Sequence, residues 1–283
     1  MIRVDDLHFT YPGADRPALS NVSFSVEAGE IFGLLGPSGA GKSTTQNVLI
    51  RLLSGYTGTV EVLGRALDAW DIEYYRQIGV SFELPNHYLK LTARENLDYF
   101  SALYGRDTIS PERALKMVGL ADDIDRPVSA FSKGMKNRLN IARSLLHQPQ
   151  LWFLDEPTAG LDPVNARRIR DLIQTRREAG TTVFLTTHNM HVADALCDRV
   201  GFMIDGRLEV VDAPDKLRRQ HGRREVEVMH GGRTPTKVSF PLDGLAYNTA
   251  FLASLRQPDL LSIHSQETSL EDVFIQVTGR SLT

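Results

Sequence analysis

Apolar and polar positions alternate over the first thirty residues. "IRVDDLHF" and "NVSFSVEAG" repeat with period two and predict half-buried strands, joined by a turn through Pro12 and Gly13. "GTVEVLG", residues 58–64, predicts another short strand. Between them the alternation stops. "EIFGLLG" is a continuous apolar run before a glycine-rich loop, and "STTQNVLIRLLSG" follows. This predicts a buried parallel strand, a loop, and a helix capped by Gly55.

From about residue 85 to 148 the period becomes helical. "TARENLDYFSALYG" starts at Thr92 with Glu95 three residues on, a capping box. "SPERALKMVGL" has Ser110 at the cap and Pro111 at the first helical position. "SKGMKNRLNIARSLLHQ" ends before Pro149. Apolar strands then return in "QLWFLDE" and "TTVFLTTH", separated by the helical "PVNARRIRDLIQTRREAG". "RVGFMIDGRLEVV" predicts a hairpin turning at Asp205-Gly206. The expectation is an α/β core over residues 1–221, with an antiparallel β subdomain and a helical insert at about 85–148. "RRQHGRR" reads as a polar, basic linker. Residues 222–283, with strands "REVEVMH" and "TKVSFPL" and a final helix "SLEDVFIQVTG", form a small α+β appendage.

Composition narrows the class. Of 283 residues, 42% are hydrophobic and 24% charged, as in ordinary folded domains. The net charge of −3 carries no whole-chain basic footprint, so nucleic acid is not an expected partner. The one cysteine, Cys197, excludes an internal disulfide, fits a reducing compartment, and reads as a small buried residue in a helical pattern. No apolar run reaches the roughly 18 residues of a membrane span. The start "MIRVDDLHFTYPG" has acids where a signal peptide needs an apolar core. An intracellular chain is expected, soluble or held at a membrane by a partner.

The chemistry begins at "GPSGAGKST", residues 36–44, which matches G-x-x-x-x-G-K-[ST] between an apolar strand and a helix. Gly36, Pro37, Ser38, Gly39, Ala40, Gly41, Lys42, Ser43 and Thr44 form a loop whose N–H groups can face phosphate oxygens. Lys42 would reach the β- and γ-phosphates, and Ser43 would offer a hydroxyl to Mg²⁺. Such a loop predicts a nucleoside triphosphate and leaves the use of it open. "LWFLDEP" ends a buried strand with two carboxylates. Asp155 is placed for Mg²⁺, and Glu156 to orient and deprotonate a water. Capping of the next helix is the alternative. His188, after "TTVFLTT", stands at the same sheet edge and could contact a γ-phosphate; a solvated loop histidine is the alternative. "FSKGMKNRL", residues 131–139, adds a puzzle: Lys133, Lys136 and Arg138 crowd the start of a helix, where anions are favoured.

The order "GPSGAGKST", "FSKGM", "LWFLDEP", "AGLD", "TTH" resembles the ATP-binding subunit of an ABC transporter over about residues 1–222. The resemblance implies a P-loop NTPase (ABC ATPase) core that binds ATP with Mg²⁺ and hydrolyses it. It implies a head-to-tail pair of such subunits, with ATP between one phosphate loop and the other's "FSKGM" helix. Ser132, Lys133, Gly134 and Met135 would then be nucleotide-contacting, with Ser132 and the Gly134 N–H on the γ-phosphate. Docking would relieve the local cations; alternatively they face solvent. Tyr11 fits the family's adenine-stacking aromatic, or packs on its own sheet. Asp162 fits the loop that touches the opposite subunit, and also an N-cap before Pro163.

Three positions depart from the family pattern. Lys133 replaces a glycine, Met135 a glutamine, and Glu83, after "IGVSF", the glutamine that approaches Mg²⁺. Lysine at 133 is costly only if that backbone needs φ > 0. "SKGM" resembles exporter ATPases that pair with a separate transmembrane permease. The ending "SLEDVFIQVTGR" resembles daunorubicin- and fluoroquinolone-type drug exporters. The resemblance implies an export ATPase on the inner face of the cell membrane, with "LPNHYLKLT" facing the permease. An ABC ATPase acting on ribosomes or nucleic acid, an importer ATPase, and a non-hydrolytic binding module are the alternatives.

Overall fold

The computed structural model describes all residues except 106–107, 223–224, 233–234, 267 and 281–283. Contacts divide the chain into a unit from Met1 to Ala213 and a second from Pro214 onward.

In the first unit, β1 (Ile2–Phe9), β2 (Leu19–Val26), β4 (Thr57–Val62) and β5 (Arg65–Ala66) form an antiparallel sheet in the order β2-β1-β4-β5. A second sheet runs β10-β9-β3-β8-β7-β6. Its strands are β3 (Ile31–Leu35), β6 (Ile78–Ser81), β7 (Leu151–Asp155), β8 (Thr182–Thr187), β9 (Arg199–Ile204) and β10 (Arg207–Asp212). All its pairings are parallel except β9–β10. Continuous apolar runs suit strands covered on both faces; β3 is buried along its whole length. The core includes Phe24, Phe32 and Phe184, whose rings stack with centroids 5.3 and 5.8 Å apart in successive pairs. Each such ring buried contributes roughly 1.5–3 kcal/mol.

Helices α1 (Lys42–Leu49), α2 (Tyr74–Gln77), α6 (Pro163–Glu178) and α7 (Met190–Leu196) join these strands. Between β6 and β7 come α3 (Ala93–Tyr104), α4 (Pro111–Met117) and α5 (Lys133–Ser144). The Thr92 capping box and the Ser110 cap before Pro111 are both formed. Buried Trp152 donates its Nε1–H to Ser144 Oγ at 2.8 Å, fastening the end of α5 to β7. Asp205 and Gly206 both have positive φ at the β9–β10 turn, as a type I′ hairpin requires.

Two local expectations change. Helix α1 ends at Leu49, well before Gly55. Arg51 turns left-handed (φ 61°), and the N–H groups of Leu52 and Leu53 both close onto Asn47 O. Most of the expected linker "RRQHGRR" is helical instead: Arg218 to His221 belong to α8 (Pro214–His221), where Leu217 is fully buried. Arg223 and Arg224 lie outside the described residues.

The second unit adds β11 (Glu225–His230), β12 (Thr236–Pro241), α9 (Thr249–Ser254), β13 (Leu260–Gln266) and α10 (Leu270–Thr278). Its sheet is antiparallel, in the order β12-β11-β13. Val226, Val228 and Phe240 form its small core. Strand β13 and helix α9 have no clear signal in the sequence. "LLSIHSQ" has no regular alternation, and α9 is too short to show a period.

Candidate active site

The site forms at the carboxyl ends of the parallel strands, where open α/β sheets bind ligands. Strand β3 ends at Leu35 and the glycine loop follows. A Cβ on Gly36 would lie 2.1 Å from Met203 O, so no larger residue fits. Gly41 has φ 107° and starts α1. The β9–β10 turn props the loop from behind, with Gly206 N–H donating to Ala40 O at 2.9 Å.

Lys42 is the first residue of α1 and is buried. Its ammonium donates to Gly36 O at 2.7 Å and Pro37 O at 2.9 Å, across its own loop. Burial pushes its pKa down, and the carboxylates of Glu156, Asp155 and Glu83 pull it back up. Asp155 is pushed above the ordinary aspartate value, chiefly by burial and further by Glu156 and Glu83. Its bond from Thr186 and the charge of Lys42 act the other way.

Residues Ser38 to Thr44, with Glu83, Asp155, Glu156 and His188, line one cleft of 400 Å³. Glu156 follows β7 with φ 47°. That left-handed conformation costs a non-glycine residue about 1–2 kcal/mol and persists where surroundings over-determine it. Here they do. The Glu156 carboxylate accepts from Thr187 Oγ1 and His188 N–H, both at 2.8 Å, and His188 Nδ1 lies 2.6 Å away. Thr186 and Thr187 join the site although no sequence motif marks them. The one available signal is a pair of hydroxyls ending β8 beside a pair of carboxylates ending β7. Tyr11 stands apart from the cleft lining. Its ring meets Phe9 edge-on, and its hydroxyl is 3.1 Å from Thr44 Oγ1.

The other expected residues form a second group. Ser132, Lys133, Gly134, Met135 and Asp162 line a separate depression of 320 Å³ together with Gly160 and Leu161. Ser132 caps α5 by accepting from Met135 N–H, and Asp162 caps α6 through the N–H groups of Val164 and Asn165. Lys133 is the first residue of α5 and is not among the residues with positive φ, so its backbone carries no left-handed cost. Its alkyl chain lies over Gly160. Arg138 corrects the reading of the cations. It lines the same depression but is largely buried, with its guanidinium engaged inside the fold. Its Nη1 donates to Val118 O and Gly119 O at 2.9 and 2.8 Å, closing the end of α4.

The loop that carries Glu83 is bolted to α5. Asn140 Nδ2 donates to Ser81 Oγ at 3.0 Å and to Phe82 O at 2.9 Å. Arg143 Nη1 donates to Asn86 O at 2.7 Å. Burial pushes the His87 pKa down to about 4, leaving a neutral ring whose Nε2–H donates to Lys136 O at 2.9 Å. A larger trough of 720 Å³ lies over β1 and β2, but its rim mixes Arg3 and Arg199 with Asp5, Glu27 and Glu61, leaving no single charge to attract a phosphate.

A model of the ABC transporter family matches residues 19–159. A model of the fluoroquinolone efflux ABC transporter C-terminal domain matches residues 224–267. A dimeric ATP-binding cassette solved in a post-hydrolysis state with ADP and Pi superposes with a TM-score of 0.69 at 28% identity, covering 75% of this chain and 98% of that one. A bacitracin transport ATP-binding protein of Bacillus licheniformis is 32% identical, over 99% of this chain and 97% of that one. A fluoroquinolones export ATP-binding protein of Mycobacterium tuberculosis is 53% identical, over 100% of this chain and 95% of that one. Because the two sequence relatives align nearly end to end in both partners, the chain belongs to the ABC transporter family, among its ATP-binding ATPase subunits.

Proposed function

We propose that this ATPase drives export of drug-like or lipid-like compounds through a separate membrane permease, as a head-to-tail pair of identical subunits. The observation that carries the pairing is the separation of the two groups of site residues. The cleft holds Lys42, Asp155, Glu156 and His188, while Ser132 and Gly134 line a different depression. Each group completes the other across a dimer. Lys42 exchanges its loop carbonyls for the β- and γ-phosphates of ATP. Glu156 accepts a proton from the attacking water, His188 meets the γ-phosphate, and Tyr11 stacks on the base. Asp162 caps its helix and touches the opposite subunit.

Mg²⁺ suits the donors present. The Ser43 hydroxyl and the Asp155 and Glu83 carboxylates are hard oxygen ligands around a cleft short of positive charge. When bound, Mg²⁺ neutralises charge on the phosphate oxygens. The negative charge of Glu83, added to Asp155 and Glu156, is not required for this. Glu83→Gln is therefore expected to keep or raise steady-state turnover at saturating Mg²⁺. A large fall in ATPase rate would show that the carboxylate itself is needed.

The reading as an exporter rests on the C-terminal family match and on the relatives' export and transport names. Leu84, Tyr88, Leu89, Tyr99 and Leu103 expose apolar surface around the Glu83 loop and α3. That patch is assigned to the permease, and the subunit is proposed to work on the cytoplasmic face of the membrane. No helix among the described residues is long and apolar enough to cross a membrane.

Light scattering after size exclusion tests the pairing. Glu156→Gln should pass from monomer to dimer on adding MgATP. A monomer at saturating MgATP, unchanged when Lys133→Gly and Met135→Gln are added, would overturn the composite site.

A further inference from the structure

Asp155 and Glu156 are adjacent in the chain, yet each carboxylate has its own hydroxyl on β8. Asp155 ends β7 opposite Thr186, whose Oγ1 donates to Asp155 Oδ1. Glu156 leaves the strand. Its N–H donates to Thr186 O at 2.9 Å, and its left-handed backbone directs the side chain to the end of β8. There Thr187 Oγ1 donates to Glu156 Oε2 at 2.8 Å. Consecutive strand residues face opposite ways, so two adjacent threonines can serve two diverging acids.

The Thr187 proton has a defined direction. Asn189 N–H donates to Thr187 Oγ1 at 3.0 Å. An ionised carboxylate can only accept, so the hydroxyl donates to Glu156. Thr187 and Glu156 are both buried, at 1% and 8% exposure, whereas the His188 side chain is 60% exposed. Of the groups holding Glu156, the His188 ring is thus the one with room to turn toward a nucleotide. The Thr187 hydroxyl and the His188 N–H stay behind.

We propose that Thr187 is a positioning residue for hydrolysis: its hydroxyl keeps the Glu156 carboxylate aimed into the cleft when the His188 ring leaves it for the phosphate. This rests on Glu156 being the general base, as proposed above.

The test compares Thr187→Val, Thr187→Ser and Glu156→Gln in steady-state ATPase assays, with binding of a fluorescent ATP analogue measured on each. Valine keeps the branched shape and removes the hydroxyl. Thr187→Val should lose about 10- to 100-fold in kcat, the scale of a misaligned reacting group. Its KM and nucleotide affinity should stay within about twofold, and Thr187→Ser should recover most of the rate. Added to Glu156→Gln, Thr187→Val should cost nothing further, since the two act as a unit. Wild-type kcat in Thr187→Val beside an inactive Glu156→Gln would overturn the inference while leaving the general base standing. Equal losses in valine and serine, or loss of nucleotide binding with kcat, would overturn it too, because shape rather than the hydroxyl would then matter. Wild-type turnover in Glu156→Gln would remove the general base itself. If Thr187→Val does not fold, Thr187→Ala takes its place under the same criteria.

Discussion

Glu156→Gln is expected to bind MgATP as the wild type does and to hydrolyse it at least about 100-fold more slowly. The amide keeps the size of the side chain, and its one oxygen can still accept from the His188 N–H while its NH2 donates to the Thr187 hydroxyl. It cannot take a proton from water. The buried position makes the difference large, because few water molecules can reach the site to substitute as base. Phosphate release under saturating MgATP measures the loss, and nucleotide titration checks the binding. Wild-type turnover would sink the assignment of Glu156 as base.

Lys42→Ala is expected to weaken ATP binding by roughly 10- to 100-fold. A hydrogen bond to a charged group contributes about 1.5–3 kcal/mol, and each 1.4 kcal/mol is about tenfold in affinity. The lysine is held ready at the mouth of its loop by two carbonyls, at 2.7 and 2.9 Å. Its buried ammonium lacks the full hydration it would have in water, so a phosphate is a strong replacement partner. Calorimetric titration of the variant with MgATP measures the effect. An unchanged affinity would mean that the loop N–H groups alone bind the phosphates. The two variants should therefore separate: one binds without turnover, the other fails before chemistry begins.

Much of the cassette was legible because its signals are local. Alternation marked β1 and β2, continuous apolar runs marked β3, β7 and β8, and cap residues marked the starts of α3 and α4. The end of α1 was not legible, because Arg51 reverses the chain with its guanidinium hydrogen-bonded to Trp70 O, nineteen residues on in sequence. Helix α8 was hidden by its charge: Arg218, Arg219 and His221 outweigh the buried Pro214 and Leu217.

The sequence by itself determined the phosphate loop, the strand ending in two acids, and the histidine after the next strand. Each is a short run whose chemistry depends on residue type and spacing. It also determined the family, through the order of those runs. Tertiary structure alone decided how the pieces are held. It turned Glu156 left-handed onto Thr187 and His188, bolted the Glu83 loop to α5 through Asn140, Arg143 and His87, and buried Arg138 under the end of α4. These bonds join residues from about twenty to nearly sixty positions apart. Their partners are chiefly backbone carbonyls, backbone N–H groups and hydroxyls, which every stretch of chain offers. No local pattern marks which of them a side chain will meet, so only the packing of the folded chain selects it.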